Sequence, residues 1–156
     1  MKKLVSGFTL IELLVVVSVI GILAALISAN FTSAQKRARD AVRKSDLRNI
    51  KTALTLYYND FARYPGSATP PTAGAYRIWG CSLNGTSQCA WGAIWQVTGG
   101  NTYMSILPKD PKGTFEYRYS STGSEDYAIK ACLENLGEAP CVTEAWCTGC
   151  VYTVAP

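Results

Sequence analysis

Histidine is missing from all 156 residues of the chain. That absence excludes a Ser-His-Asp or Cys-His relay, a histidine metal site and a histidine pH switch. Charge is scarce as well: 17% of residues are Asp, Glu, Lys or Arg, against ~25% in an ordinary soluble chain. No cysteine precedes Cys81, and all six lie between there and Cys150. Composition therefore argues against most familiar hydrolases and metalloenzymes. It also suggests a chain whose two ends occupy different surroundings.

Apolar residues are concentrated at one end. Seventeen of the 22 residues from Phe8 to Ala29 are apolar, and Leu13 to Gln35 is a charge-free run of 23. About 20 residues cross a hydrocarbon core of ~30 Å, so this segment is long enough to span a membrane. A conventional signal peptide fits poorly, because its apolar run is only ~7–15 residues. The small-residue stretches Ala24-Ala25-Leu26 and Ser28-Ala29-Asn30 leave that reading open, with a soluble product starting near Phe31.

Charge is segregated too. Lys36 to Lys51 holds seven basic residues against two acidic ones, net +5, whereas 52–156 carries six basic and eight acidic, net −2. A positive-inside count would keep the basic cluster in the cytoplasm. The cysteines argue the opposite, since a dense set in a small domain forms disulfides outside the cytosol. We give the cysteines more weight.

Glu12 stands near the start of the apolar run. A carboxylate at the centre of a membrane helix costs roughly 2.5–3.5 kcal/mol, and no cation in the run offsets it. The alternative is a place in the headgroup zone, at little cost.

The stretch Lys2-Lys3-Leu4-Val5-Ser6-Gly7-Phe8-Thr9-Leu10-Ile11-Glu12-Leu13-Leu14-Val15 resembles the class III leader of type IV pilins and type II secretion pseudopilins. The resemblance implies cleavage between Gly7 and Phe8 by a membrane prepilin peptidase, and N-methylation of Phe8. It gives Glu12 a partner, the N-terminal ammonium of a neighbouring subunit. Two opposite charges buried together are tolerable where either alone is not. Gly21 also matches a family glycine. Ala29 stands where the family commonly has a proline, which leaves open whether the helix unwinds there. Arg63-Tyr64-Pro65 resembles the helix exit of the family. Leu107-Pro108-Lys109-Asp110-Pro111-Lys112-Gly113 resembles the turn that precedes its first sheet strand. The matches cover most of residues 1–65 and 107–133.

Beyond the membrane segment the pattern remains helical. No Pro or Gly occurs from Asn30 to Phe61, and Leu47, Ile50, Leu54, Tyr57 and Phe61 form one stripe of 3.6-residue period. The stripe suits a core face. Pro65-Gly66 would stop the helix. The basic residues Lys36, Arg37, Arg39, Arg43 and Lys44 have three readings: a solvated face, contact with anionic lipid, or contact with DNA phosphates. Strands are expected at Thr114–Ser120, Tyr127–Leu133 and Val151–Val154.

Cys81 and Cys89 flank Asn84-Gly85, a strong hairpin signal, and are expected to bridge. Among Cys132, Cys141, Cys147 and Cys150, the pairs 132–150 and 141–147 are narrowly preferred to 132–141 and 147–150. Zinc and redox roles are weaker, with only one C-x2-C pair and no βαβ setting. Glu125, Asp126, Glu134 and Glu138 lack calcium-loop spacing, so neither metal nor cofactor is expected. Trp79, Trp91 and Trp95 suit a core better than an adhesive patch. Asn84-Gly85-Thr86 and Asn30-Phe31-Thr32 fit the glycosylation sequon by chance.

Together these features predict an α+β chain with the pilin fold. Its parts are a leader at 1–7, a transmembrane half-helix at 8–29, an amphipathic half at 30–64 and a disulfide-stapled head at 65–156. A long helix would pack on a small antiparallel sheet. The resemblance implies a structural subunit, not an enzyme. It would reside in the inner membrane as a single pass, then join other subunits in an extracellular or periplasmic filament with the help of an assembly platform. Whether that filament is a pilus or a pseudopilus stays open. The rival reading is a minor or competence pilin that binds DNA or a surface ligand at the filament tip.

Overall fold

A computed structural model describes residues 7–67, 76–81, 87–97, 100–121, 125–137 and 142–156, with backbone only at 28–30. One helix, α1, runs from Leu10 to Phe61. Five strands follow: β1 (Trp95–Gln96), β2 (Thr102–Met104), β3 (Arg118–Ser121), β4 (Tyr127–Leu133) and β5 (Cys150–Val154). They form a two-stranded sheet β1-β2 and a three-stranded sheet β3-β4-β5, both antiparallel.

The chain divides into two compact units, Met1–Lys36 and Arg37–Pro156. In the first, Leu10–Ile27 is long and apolar enough to cross a membrane, and its large side chains are exposed. The helix starts at a reciprocal cap. The Thr9 amide donates to Glu12 Oε2 at 2.9 Å, and the Glu12 amide donates to Thr9 Oγ1 at 3.3 Å. Each satisfies a backbone donor that the first turn leaves unpaired.

In the second unit the expected stripe becomes core. Leu47, Ile50, Leu54 and Tyr57 are buried beside Trp95, Leu107, Tyr117, Tyr119 and Ile129. Phe61 departs from the stripe: it is 41% exposed, with its ring tilted against Tyr57 at a centroid separation of 4.5 Å. The helix also stops earlier than Pro65-Gly66 would require. Ala62 takes a left-handed φ of 52° while its amide still bonds to the Tyr58 carbonyl at 2.8 Å. This is a left-handed cap made by alanine instead of glycine.

β4 has the expected bounds. β5 begins one residue early, at Cys150. β3 begins only at Arg118, not Thr114, because the Leu107–Gly113 turn carries through to a bend at Gly113–Phe115. Phe115 and Trp146 instead flank a second small core with Cys132, Cys147 and Val151.

Candidate functional site

Phe8 precedes α1 and is 80% exposed. The Glu12 carboxylate accepts from both the amide and the hydroxyl of Thr9, at 2.9 and 2.8 Å. Its partners among the described residues thus lie within its own first turn, and no cation is one of them. One helical turn above Glu12, Val15 and Val16 continue an apolar surface that includes Phe8 and Ile11. At Gly21 a Cβ would meet nothing within 4 Å. No contact within the chain therefore requires glycine there. Met1–Ser6 lie outside the described residues.

The basic cluster divides in a way the spacing did not reveal. Arg43 is fully buried at 0% exposure. Its guanidinium donates to Asp110 at 2.6 and 3.0 Å, to Asp40 at 2.7 Å and to Glu134 at 3.0 Å. Arg39 forks onto Glu134 at 2.7 and 2.8 Å. Asp40 in turn accepts the amides of Glu134 and Asn135, each at 2.9 Å, just past the end of β4. Arg43 is therefore not available for DNA or lipid, and that assignment is corrected for it; Arg39 is half-buried against Glu134. Burial alone would lower the pKa of Arg43, but its carboxylate partners outweigh burial and raise it. The Arg39 hydrogen bond, with Arg43 adding to it, holds Glu134 down to about 2. Lys36 and Arg37 are exposed. Lys44 lies 5.6 Å over the Tyr152 ring.

This ion cluster explains the Leu107–Gly113 turn. Asp110 Oδ1 caps the Lys112 amide at 2.9 Å, and the Gly113 amide donates to the Asp110 carbonyl at 3.1 Å. Gly113 takes a φ of 69°, which favours glycine. The same Asp110 carboxylate then grips Arg43. The turn is both a local device and the anchor of α1 within the second unit. Asp46 adds a tie, accepting from the Tyr117 hydroxyl at 2.6 Å. Sequence reasoning missed the cluster. Its one local signal was the i, i+3 spacing of Asp40 and Arg43.

Cys81 bridges Cys89, as the spacing suggested. The intervening Asn84-Gly85 and its sequon lie outside the described residues. Cys132 bridges Cys147, with Cα atoms 5.5 Å apart. Both expected pairings of Cys132, with Cys150 and with Cys141, are thereby overturned, as are 141–147 and 147–150. The ladder supplies the reason for the first. Cys150 pairs with Leu133 and Val151 with Cys132, so Cys132 and Cys150 face opposite sides of the sheet. Cys150 is also disulfide-bonded. Cys141 lies outside the described residues.

Trp91 and Trp95 are buried in the core and Trp79 is half-buried. The core reading therefore holds for the first two. Among the described residues no group of three or more His, Cys, Asp or Glu is arranged to hold a metal; Glu138 lies outside them.

Residues 2–28 match the family described as the prokaryotic N-terminal methylation motif. The chain is 34% identical over 120 residues to the type II secretion system core protein G of Pseudomonas aeruginosa, covering 77% of this chain and 76% of that one. This chain belongs to the type IV pilin and type II secretion major pseudopilin family. It is also 31% identical to the type IV wide pilus major component PilA4 of Thermus thermophilus, over 77% of this chain and 93% of that one. It is 31% identical to the core protein G of Vibrio cholerae, over 80% and 78% of the two chains. No solved structure matches the chain. Its α+β architecture, with a long N-terminal helix and small antiparallel sheets, agrees with the expected pilin fold.

Proposed function

We propose that the chain is a prepilin. The leader, 1–7, is cut between Gly7 and Phe8 by a prepilin peptidase, and Phe8 is N-methylated. The mature helix first holds the protein in the inner membrane as a single pass, with the head of residues 65–156 outside the cytosol. An assembly platform then packs the subunits into a type IV pilus or a type II secretion pseudopilus. The half at 8–29 forms the filament core, with Gly21 on its surface, and 30–64 anchors the head. The protein is a structural subunit and not an enzyme.

One observation carries this reading. An exposed apolar helix presents a single carboxylate, Glu12, beside exposed Phe8, and that carboxylate has no cationic partner among the described residues. A neighbouring subunit's N-terminal ammonium supplies one. The matches to core protein G and to a wide-pilus component support the filament. The test is Glu12→Ala in the native host. Processing at Gly7 should persist while sheared filaments disappear. Normal filaments from the variant would overturn the role given to Glu12.

A further inference from the structure

The head holds a cavity of about 280 Å³ beside the Leu107–Gly113 turn. That is close to the smaller ligand pockets of proteins, about 300 Å³ upward. Trp91, Phe115 and Tyr117 give it aromatic walls. Trp91 and Tyr117 meet edge to face, at 5.8 Å and 88°, so two flat faces stand at right angles.

Its polar lining is two cations, Arg77 and Lys109, and two acids, Asp110 and Glu116. Arg77 is only loosely paired, its Nη2 lying 3.6 Å from the exposed Glu116. Lys109 is exposed at the rim and has no carboxylate partner among the described residues. Asp110, the other acid of the lining, is already taken by Arg43. The rim thus carries two cations against one carboxylate free to take a hydroxyl.

From this geometry we propose that the cavity is a binding site for a hexuronate, a pyranose that bears a carboxylate. The carboxylate lies between Arg77 and Lys109, where charge-assisted bonds are shorter and stronger than neutral ones. The ring stacks on an aromatic wall, and a hydroxyl donates to Glu116. A free sugar acid and a residue of an acidic polysaccharide offer this same chemistry. The inference is independent of filament assembly.

The test uses the full chain in lipid nanodiscs, read by tryptophan fluorescence and saturation-transfer NMR. The probes are D-glucuronate, a galacturonate oligomer, D-glucose, benzoate and inorganic phosphate. Saturable glucuronate binding is expected, with glucose and benzoate each weaker by about tenfold or more. A galacturonate oligomer that binds better than glucuronate assigns the site to polysaccharide, and the reverse order assigns it to free sugar acids. Arg77→Gln should weaken binding about tenfold with an unchanged melting temperature. Lys109→Gln, at the exposed rim, provides the same reading if that variant fails to fold. The proposal is overturned if no response saturates below roughly 20 mM. Equal binding of benzoate or phosphate, or Lys109→Gln binding as tightly as the parent, would overturn it as well.

Discussion

Replacing Arg43 by methionine removes the hub of the buried ion cluster and keeps most of its volume. Three carboxylates then remain: Asp110 and Asp40 lose their cation, and Glu134 keeps Arg39 at 2.7 Å and Lys112 at 3.5 Å. Breaking a buried pair from one side costs about 3–5 kcal/mol, because the remaining charge is uncompensated. The surface pair Arg77–Glu116 is the control, since its loss through Glu116→Gln should cost under ~1 kcal/mol. At roughly 4 °C per kcal/mol for a unit of this size, Arg43→Met should melt about 12–20 °C lower. Near-UV circular dichroism of the full chain in nanodiscs reads this directly. The pH dependence gives a second sign. Glu134 is held at about 2, below its usual 4.5. Its stabilising contribution in the parent is therefore complete above ~4.5 and fades as pH falls toward ~2. In the variant Glu134 loses the part of that lowering that comes from Arg43, so less of the contribution is there to fade. The gap between parent and variant should narrow from a pH of about 7 to about 3. A loss under ~1 kcal/mol, or a gap that widens on acidification, would refute the reasoning.

The cysteine pairing predicts that Cys132→Ser with Cys147→Ser, which opens a span of 15 residues, destabilises the head by about 3 kcal/mol in denaturant titration. Peptide mapping should show the 132–147 link and no 132–150 link. Trp95, fully buried and 5.8 Å from the Tyr57 ring centroid, should cost about 3–5 kcal/mol as Trp95→Ala in the same titration. A Cβ at Gly149 would collide with the Leu133 carbonyl, so Gly149→Ala should displace the start of β5 and lower the melting temperature.

Features set by local chemistry were the readable ones. The 3.6-residue stripe of Leu47, Ile50, Leu54 and Tyr57 identified the buried face of α1 because periodicity and burial report the same geometry. The short apolar run Tyr127–Leu133 marked β4 from local sequence as well. Cys81 and Cys89 are eight residues apart, close enough for spacing to decide. Features set by long-range contact were not readable. Arg43 looks like any member of a basic run until Asp110, 67 residues later, and Glu134, 91 residues later, converge on it. Cys132 and Cys150 looked adjacent because one lies near the end of a strand and the other begins the next. Only the ladder register places them on opposite faces. Phe61 continues the stripe in sequence, but the left-handed turn at Ala62 ends the helix beside it.

The central claim is that this chain becomes a filament subunit by processing at its N-terminus. Intact-mass and N-terminal peptide spectrometry of the protein from its native membrane tests it most directly. The account predicts a mature chain that begins at Phe8 with one N-methyl group and retains every later residue. A chain that still begins at Met1, or one trimmed to near Phe31, would contradict it.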